Sequence, residues 1–394
     1  QPMRYTARSL MAGLITLYAT AGQAQMLETS ARAAYVYDQT TGTVLLAKDA
    51  EIPLPPASMS KLMTIYMAFE AIADGRLSVD DILPVSAHAA SFGGSSMFLD
   101  TTDRVRVEDL LRGVIVLSGN DASVVLAEAL SPDGTEAGFG RMMTDRARQL
   151  GMTQSVFVNA SGWPAAGHRM SVKDLGILSS RLISDFPTFY PLFSETEFAF
   201  DNRVPSNSQN RNPILAMGIG ADGLKTGHTE EAGYGLAGSA VQGNRRVIFV
   251  VTGLPTARDR AEESERIVNW AFRQFAERDL AVAGTQIASA DVWMGAAPSV
   301  GLTVAEDLRL LVPVLHDGAL DAQVVFDGPL QAPVTAGQQV GELIITLDGL
   351  PEKRVPLVTQ ADVPLGGFGT RIRTAAQVLW AKYGLTPGAE PDGA

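Results

Sequence analysis

The chain of 394 residues contains no cysteine. Disulfides, thiolate nucleophiles and Cys-ligated metals are therefore excluded. Histidine is scarce: His88, His168, His228 and His316 are the only four. No two of them stand at metal-ligand spacing, so no metal or other cofactor is expected. Positive charge is in deficit, with a formal net charge of −12. That leaves no electrostatic basis for binding nucleic acid. Neither a phosphate loop nor a dinucleotide fingerprint occurs. Apart from Leu10 to Thr20, long apolar runs are missing at the N-terminus, and that one is too short for a comfortable membrane span.

What is there begins with three short motifs. They are Ser58-Met59-Ser60-Lys61, Ser118-Gly119-Asn120 and Lys225-Thr226-Gly227. The first places a hydroxyl and an amine one helical turn apart, on a shared face. The second adds a hydroxyl and an amide. The third adds an amine, a hydroxyl and a glycine that lets a ligand approach the backbone. A nucleophile, a base, a proton relay and an anion clamp are the equipment of acyl transfer. Each motif alone has a bland reading: a helix cap with a solvated lysine, helix punctuation, a strand edge. Their order and separation make the set specific.

The setting of Lys61 supports chemistry. Pro53, Pro55 and Pro56 bring the chain in extended, and a helix is expected to start at Ser58. Lys61 is its only charge before Glu70, and apolar residues cover nearly the whole circumference. A buried ammonium is disfavoured, and a second cation such as Lys225 would disfavour it further. The amine would then be neutral and able to act as a base. The helix N-terminus favours a developing alkoxide at Ser58. A helix from Val107 to Leu117 and another capped by Asp121 are expected to flank Ser118-Gly119-Asn120. Lys225 and Thr226 could clamp a carboxylate. The backbone N–H groups of Ser58 and His228 could form an oxyanion hole, worth about 3–4 kcal/mol per donor in other enzymes.

With these motifs in place the chain resembles the penicillin-recognising serine enzymes, and within them the low-molecular-mass D-alanyl-D-alanine carboxypeptidases. Pro56 to Thr64, Gly94-Ser95-Ser96-Met97-Phe98-Leu99, Asn210-Arg211-Asn212 and Asp222 to Thr229 carry the likeness. The resemblance implies that Ser58 is the nucleophile and Lys61 its base. Ser118 would pass a proton to the leaving D-alanine. Asn120 would hold the substrate's peptide amide. Lys225 and Thr226, with Gly227 and His228 beside them and Arg211 as a further candidate, would bind the substrate end. It implies as partners peptidoglycan stem peptides ending in D-Ala-D-Ala, and β-lactams. Glu195 and Glu197 lie where a β-lactamase of this fold would carry its water-activating glutamate, but in no motif of that kind. An endopeptidase for peptide crosslinks and a non-catalytic wall-binding scaffold are further alternatives.

The expected fold is α/β (α+β). An antiparallel sheet would combine Ala34 to Tyr37, Thr43 to Ala47 and three strands around Lys225, with helices on both sides. Glu262 to Glu277, carrying Phe275, reads as a further helix. From 279 to 364 short apolar runs punctuated by Gly and Pro suggest a small β-sandwich or barrel. Residues 25–278 would be the catalytic domain and 1–24 a secretory signal. That signal has basic Met3 to Arg8, an apolar stretch and Gly22-Gln23-Ala24 before the cleavage point. An uncleaved anchor is the alternative. In 365–394, Phe368, Ile372, Ala375, Ala376, Leu379 and Tyr383 fall on one helical face. A basic amphipathic helix of this kind can lie in a membrane surface. Export would place the protein on the periplasmic side of the cytoplasmic membrane, peripherally anchored.

Overall fold

The computed structural model describes residues 27–314, 321–347, 350, 352–369 and 372. A hairpin comes first, β1 (Ala33–Asp38) and β2 (Thr43–Lys48). The Asp38 carboxylate accepts the N–H and the hydroxyl of Thr41 and so closes its turn. A 3₁₀ turn at Ala57–Ser60 then feeds α1 (Lys61–Ala73). A small hairpin, β3 (Ile82–Pro84) and β4 (Arg104–Arg106), encloses α2 (Ala87–Ala90). Helices α3 (Val107–Ile115), α4 (Asn120–Leu130), α5 (Glu136–Gln149) and α6 (Val172–Asp185) follow. The chain then returns to the sheet through β5 (Ala221–Thr229), β6 (Gly233–Gln242) and β7 (Arg245–Leu254), and leaves it along α7 (Ala257–Arg273).

The main sheet has the order β2-β1-β7-β6-β5, and every neighbouring pair is antiparallel. Side chains alternate between its faces. Ala33 and Tyr35 join the helical core around α1 and α6, while Ala34 and Val36 join Ile267, Val268 and Ala271 of α7. With both faces covered, β7 reads as a nearly continuous apolar run, Val247 to Val251. The expected α+β arrangement is the one observed. β5 closes one edge of the sheet, so Lys225 lies on a border facing the helical half.

Three local expectations change. Ser58 lies in the 3₁₀ turn, and α1 proper begins at Lys61. Lys61 to Phe69 are all buried, as suits a helix that is apolar all round. Asp121 does not cap α4: Gly119 is the N-cap and makes no side-chain capping bond. The buried Asp121 carboxylate instead accepts the Ser96 hydroxyl at 2.6 Å and the N–H groups of Met97 and Leu99 at 3.0 Å each. Loop donors that would otherwise be buried without partners win it from the helix end. Finally, α7 starts at Ala257 and ends at Arg273. The Thr256 hydroxyl accepts the Asp259 N–H at 3.0 Å, while its proton goes to the Asp259 carboxylate, a reciprocal cap that begins the helix early.

Phe275 opens a strand rather than extending that helix. The second layer of structure is β8 (Phe275–Ala281), β9 (Ala288–Trp293), β10 (Ser299–Val304), β11 (Leu308–Pro313), β12 (Asp321–Phe326), β13 (Leu330–Gln331), β14 (Gln339–Thr346) and β15 (Lys353–Thr359). Six of these strands form one sheet, ordered β12-β14-β15-β10-β9-β13, and β11 pairs with β8. Leu308 and Leu310 of β11 pack with Leu343, Ile345 and Leu357 of the larger sheet. Leu311 turns the other way, into the core beneath α7. The buried Arg245 guanidinium joins the two parts, bonding Asp38, the Ala271 carbonyl and the Phe275 carbonyl. Residues 1–24 and most of the helix expected in 365–394 lie outside the described residues.

Candidate active site

A 3₁₀ turn has three residues per turn, so positions i and i+3 eclipse. Ser58 and Lys61 are such a pair. Lys61 Nζ lies 2.9 Å from Ser58 Oγ, 2.7 Å from Asn120 Oδ1 and 2.7 Å from the Ser161 carbonyl oxygen. The side chain is fully buried. Burial above all, then the Arg211 charge, pulls its pKa from 10.5 to about 7, with Asp121 opposing. Arg211 is thus a further cation beside Lys61, in addition to Lys225, with which Lys61 is in mutual repulsion.

The three contacts fix the amine's orientation. A neutral amine has two N–H bonds and one lone pair. The Ser161 carbonyl can only accept, and so can Asn120 Oδ1, because Asn120 Nδ2 donates to the Gly93 carbonyl at 2.9 Å. Both N–H bonds are used there, so the lone pair falls on Ser58 Oγ.

Asn120 opens α4, and its own N–H donates to the Ser95 carbonyl at 2.8 Å. Ser118, two residues earlier, is buried and holds φ at +60°. A non-glycine residue in that region stores about 1–3 kcal/mol, supported by its surroundings and common at functional sites. The Asp121 anchor holds loop Ser96–Leu99 against the same junction.

β5 supplies the opposite wall. A Cβ on Gly227 would lie 2.9 Å from the Pro56 carbonyl oxygen and 3.1 Å from the Met59 nitrogen. Glycine is therefore what lets this edge lie against the Ser58 turn. Period two puts Lys225 on the same strand face as Gly227. Lys225 is buried, and its pKa is held well below the usual range by burial first, then by the charges of Lys61, Arg211 and Arg260. Arg211 also donates to the Ser95 hydroxyl. Thr226 is buried beside Lys225. The His228 ring is exposed and stacks on Tyr234, the ring centroids 3.8 Å apart.

Comparisons with known proteins identify the family. A family model described as D-alanyl-D-alanine carboxypeptidase matches residues 19–256. The chain belongs to the D-alanyl-D-alanine carboxypeptidase family. A second model, the C-terminal domain of penicillin-binding protein 5, matches residues 275–365. D-alanyl-D-alanine carboxypeptidase DacD of Salmonella typhimurium is 37% identical over 345 residues, 85% of this chain and 87% of that protein. Penicillin binding protein 5 from Haemophilus influenzae aligns at a TM-score of 0.74 with 33% identity, over 86% of this chain and 98% of that one. Penicillin-Binding Protein D2 from Listeria monocytogenes, in its ampicillin-bound form, aligns at 0.57 with 35% identity, over 63% and 99%. As a member of this carboxypeptidase family the protein is a serine-type hydrolase.

The carboxypeptidase site includes groups that the motifs do not announce. The Ser161 carbonyl is one; a main-chain oxygen has no residue-specific signature. Arg260 is another. It is buried on α7, its guanidinium carbon lies 5.6 Å from the Tyr234 ring centre, and among the described residues its Nε has no hydrogen-bond partner. It stands close enough to depress Lys225. The two glutamates weighed for a β-lactamase are engaged elsewhere: Glu195 with Arg112 at 3.1 Å, Glu197 with the Ser208 hydroxyl at 3.0 Å.

Proposed function

We propose that this carboxypeptidase removes the terminal D-alanine from peptidoglycan stem peptides through an acyl-enzyme on Ser58. Ser58 Oγ attacks the carbonyl carbon of the penultimate D-alanine, and its proton passes to the Lys61 lone pair. The oxyanion is held by the N–H groups of Ser58 and His228. The proton then moves, by way of Ser118, to the nitrogen of the leaving D-alanine as the C–N bond breaks. Water adds to the ester, Lys61 again takes a proton, and Ser58 leaves with the hydrogen restored. Asn120 holds a substrate amide. Lys225, Thr226, Arg211 and Arg260 receive the terminal carboxylate. The observation that carries this reading is the buried Lys61 Nζ 2.9 Å from Ser58 Oγ, its two other contacts both being acceptors.

A β-lactam presents a strained amide and a carboxylate at similar spacing, and would acylate the same oxygen. The ampicillin-bound relative supports this. The test uses wild-type protein, a peptide ending in D-alanyl-D-alanine and a fluorescent penicillin. One D-alanine should be released per peptide, and the covalent label should map to the fragment carrying Ser58. Fast β-lactam turnover without D-alanine release would identify a β-lactamase. Preferential cutting of crosslinked dimers would identify an endopeptidase. Absence of both signals would leave a scaffold.

The reading extends to location: an exported enzyme on the periplasmic side of the cytoplasmic membrane, held peripherally by its C-terminal helix. The basic and apolar N-terminal segment supports export. Supporting the anchor, Phe368 and Ile372 are 81% and 55% exposed. Exposed large apolar groups on one helical face fit an interfacial helix. The full chain should float with anionic lipid vesicles, and a chain ending at Leu365 should not. Equal flotation of the two would sink the anchor.

A further inference from the structure

We propose that His168 is a positioning residue: it ties Ser60 to the segment carrying the Ser161 carbonyl, and thereby sets the direction of the Lys61 lone pair. The inference rests on the reading of Ser58 and Lys61 as nucleophile and base.

His168 is buried. Its Nδ1 accepts the Val158 N–H at 3.0 Å and lies 3.4 Å from the Asn159 nitrogen. A ring nitrogen that accepts carries no proton, so the neutral imidazole is protonated on Nε2. Nε2 sits 2.7 Å from Ser60 Oγ and donates to it. Ser60 lies between the nucleophile and the base. The Phe157 ring meets the imidazole edge-on, with centroids 5.7 Å apart. Burial, then the charges of Arg169 and Lys61, pushes the His168 pKa down to about 4, so the ring keeps this neutral form at working pH. Protonation would aim an Nδ1–H at two N–H donors.

The segment held this way is short and closely packed. Thr64 Oγ1 donates to the Ala160 carbonyl at 2.7 Å, and the Glu136 carboxylate accepts the Ala160 N–H at 3.0 Å. Asn159 Oδ1 accepts the Gly162 N–H at 2.8 Å. Gly162 has φ +78°, and a Cβ there would lie 1.8 Å from the Ala57 carbonyl oxygen. The segment therefore presses on the nucleophile turn, and His168 supplies the side-chain tie that reaches into it. Its consequence is at Lys61. If the Ser161 carbonyl moves, one N–H of the amine loses its acceptor. That N–H can then rotate onto Ser58 Oγ and turn the lone pair away. Lys225, Thr226, Arg211 and Arg260 stand on other elements and would still bind substrate.

The experiment compares wild type, His168→Ala, His168→Gln, Ser60→Ala and the Ser60→Ala/His168→Ala double variant. D-alanine release is normalised to folded protein by thermal melting. Misplacement by about 1 Å can cost ~10²-fold. His168→Ala should accordingly lower kcat about 10- to 100-fold with KM within about twofold. Gln places an amide N–H near the Nε2 position and should recover most of the loss. Ser60→Ala should reproduce it, and the double variant should be little worse than either single one. Nitrogen NMR of labelled histidine should show a neutral ring protonated on Nε2 at neutral pH. A glutamine variant no better than alanine, full kcat in Ser60→Ala, or the opposite tautomer would overturn the proposal. If wild type is labelled by penicillin at Ser58 and the His168 variants match it, this inference falls alone. If wild type takes no label at Ser58, the nucleophile reading falls and this one falls with it.

Discussion

Lys61→Arg is expected to lower D-alanine release and penicillin acylation by about 10²–10⁴-fold, the range a positioned base contributes, and Lys61→Met by as much. Arginine keeps the positive charge but is not deprotonated in proteins. Methionine keeps much of the volume and has no nitrogen. An electrostatic role would survive in the arginine variant, whereas a base role dies in both. The wild-type pH profile carries the same information. Burial lowers the Lys61 pKa from 10.5 to about 7, so the amine is loaded as a base above that value and lost below it. The rate constant kcat/KM should rise with pH through about 7, since it reports the free enzyme. Stability should follow the same sign. Between pH 7 and 10.5 the unfolded chain holds a proton on this lysine that the folded chain has released. Stability therefore increases with pH across that window. Acylation rates with fluorescent penicillin measured against pH, for wild type and Lys61→Arg, decide the matter. An arginine variant near the wild-type rate would refute the assignment.

Much of this site is legible in the sequence because the groups that do chemistry are side chains with strong preferences. Lysine in an otherwise apolar helix is costly unless something uses it, so Lys61 stands out among Met59, Leu62 and Met63. Short apolar runs bounded by turn residues made β1, β2 and the three strands around Lys225 readable, since that signal survives without knowing the partner strands. What stayed hidden depends on the main chain or on distance. The Ser161 carbonyl would be there whatever residue stood at 161. Asp121 has the composition of a helix cap, and only the neighbouring loop reveals that its carboxylate is needed elsewhere. Phe275 falls at helical spacing from Ala271, and its pairing with Pro313 of β11 is what makes it a strand. The early start of α7 is a different kind of miss. Thr256 and Asp259 stand at capping-box spacing, but the apolar period that marks the helix begins only around Ile267.

A peptide ending in D-alanyl-D-alanine amide should be turned over about 10²–10³-fold less efficiently than the free acid, because the carboxylate end of the site is built around a missing negative charge. Lys225 is depressed first by burial and then by Lys61, Arg211 and Arg260, with no acid opposing them. Among the described residues the buried Arg260 Nε has no hydrogen-bond partner. A buried donor without an acceptor is one that an arriving anion can satisfy. A terminal carboxylate would accept from these groups and offset their mutual repulsion; an amide brings no charge. Two consequences separate this from simple loss of a contact. Arg260→Ala should raise KM for the acid substantially while leaving the weak activity on the amide nearly unchanged, so the two substrates converge. Binding of the acid should also raise the Lys225 pKa and take up a proton, which calorimetry of Ser58→Ala in two buffers of different ionisation heat would register. Equal rates for acid and amide, or an Arg260→Ala variant that loses both in proportion, would show that the cations serve the fold rather than the substrate.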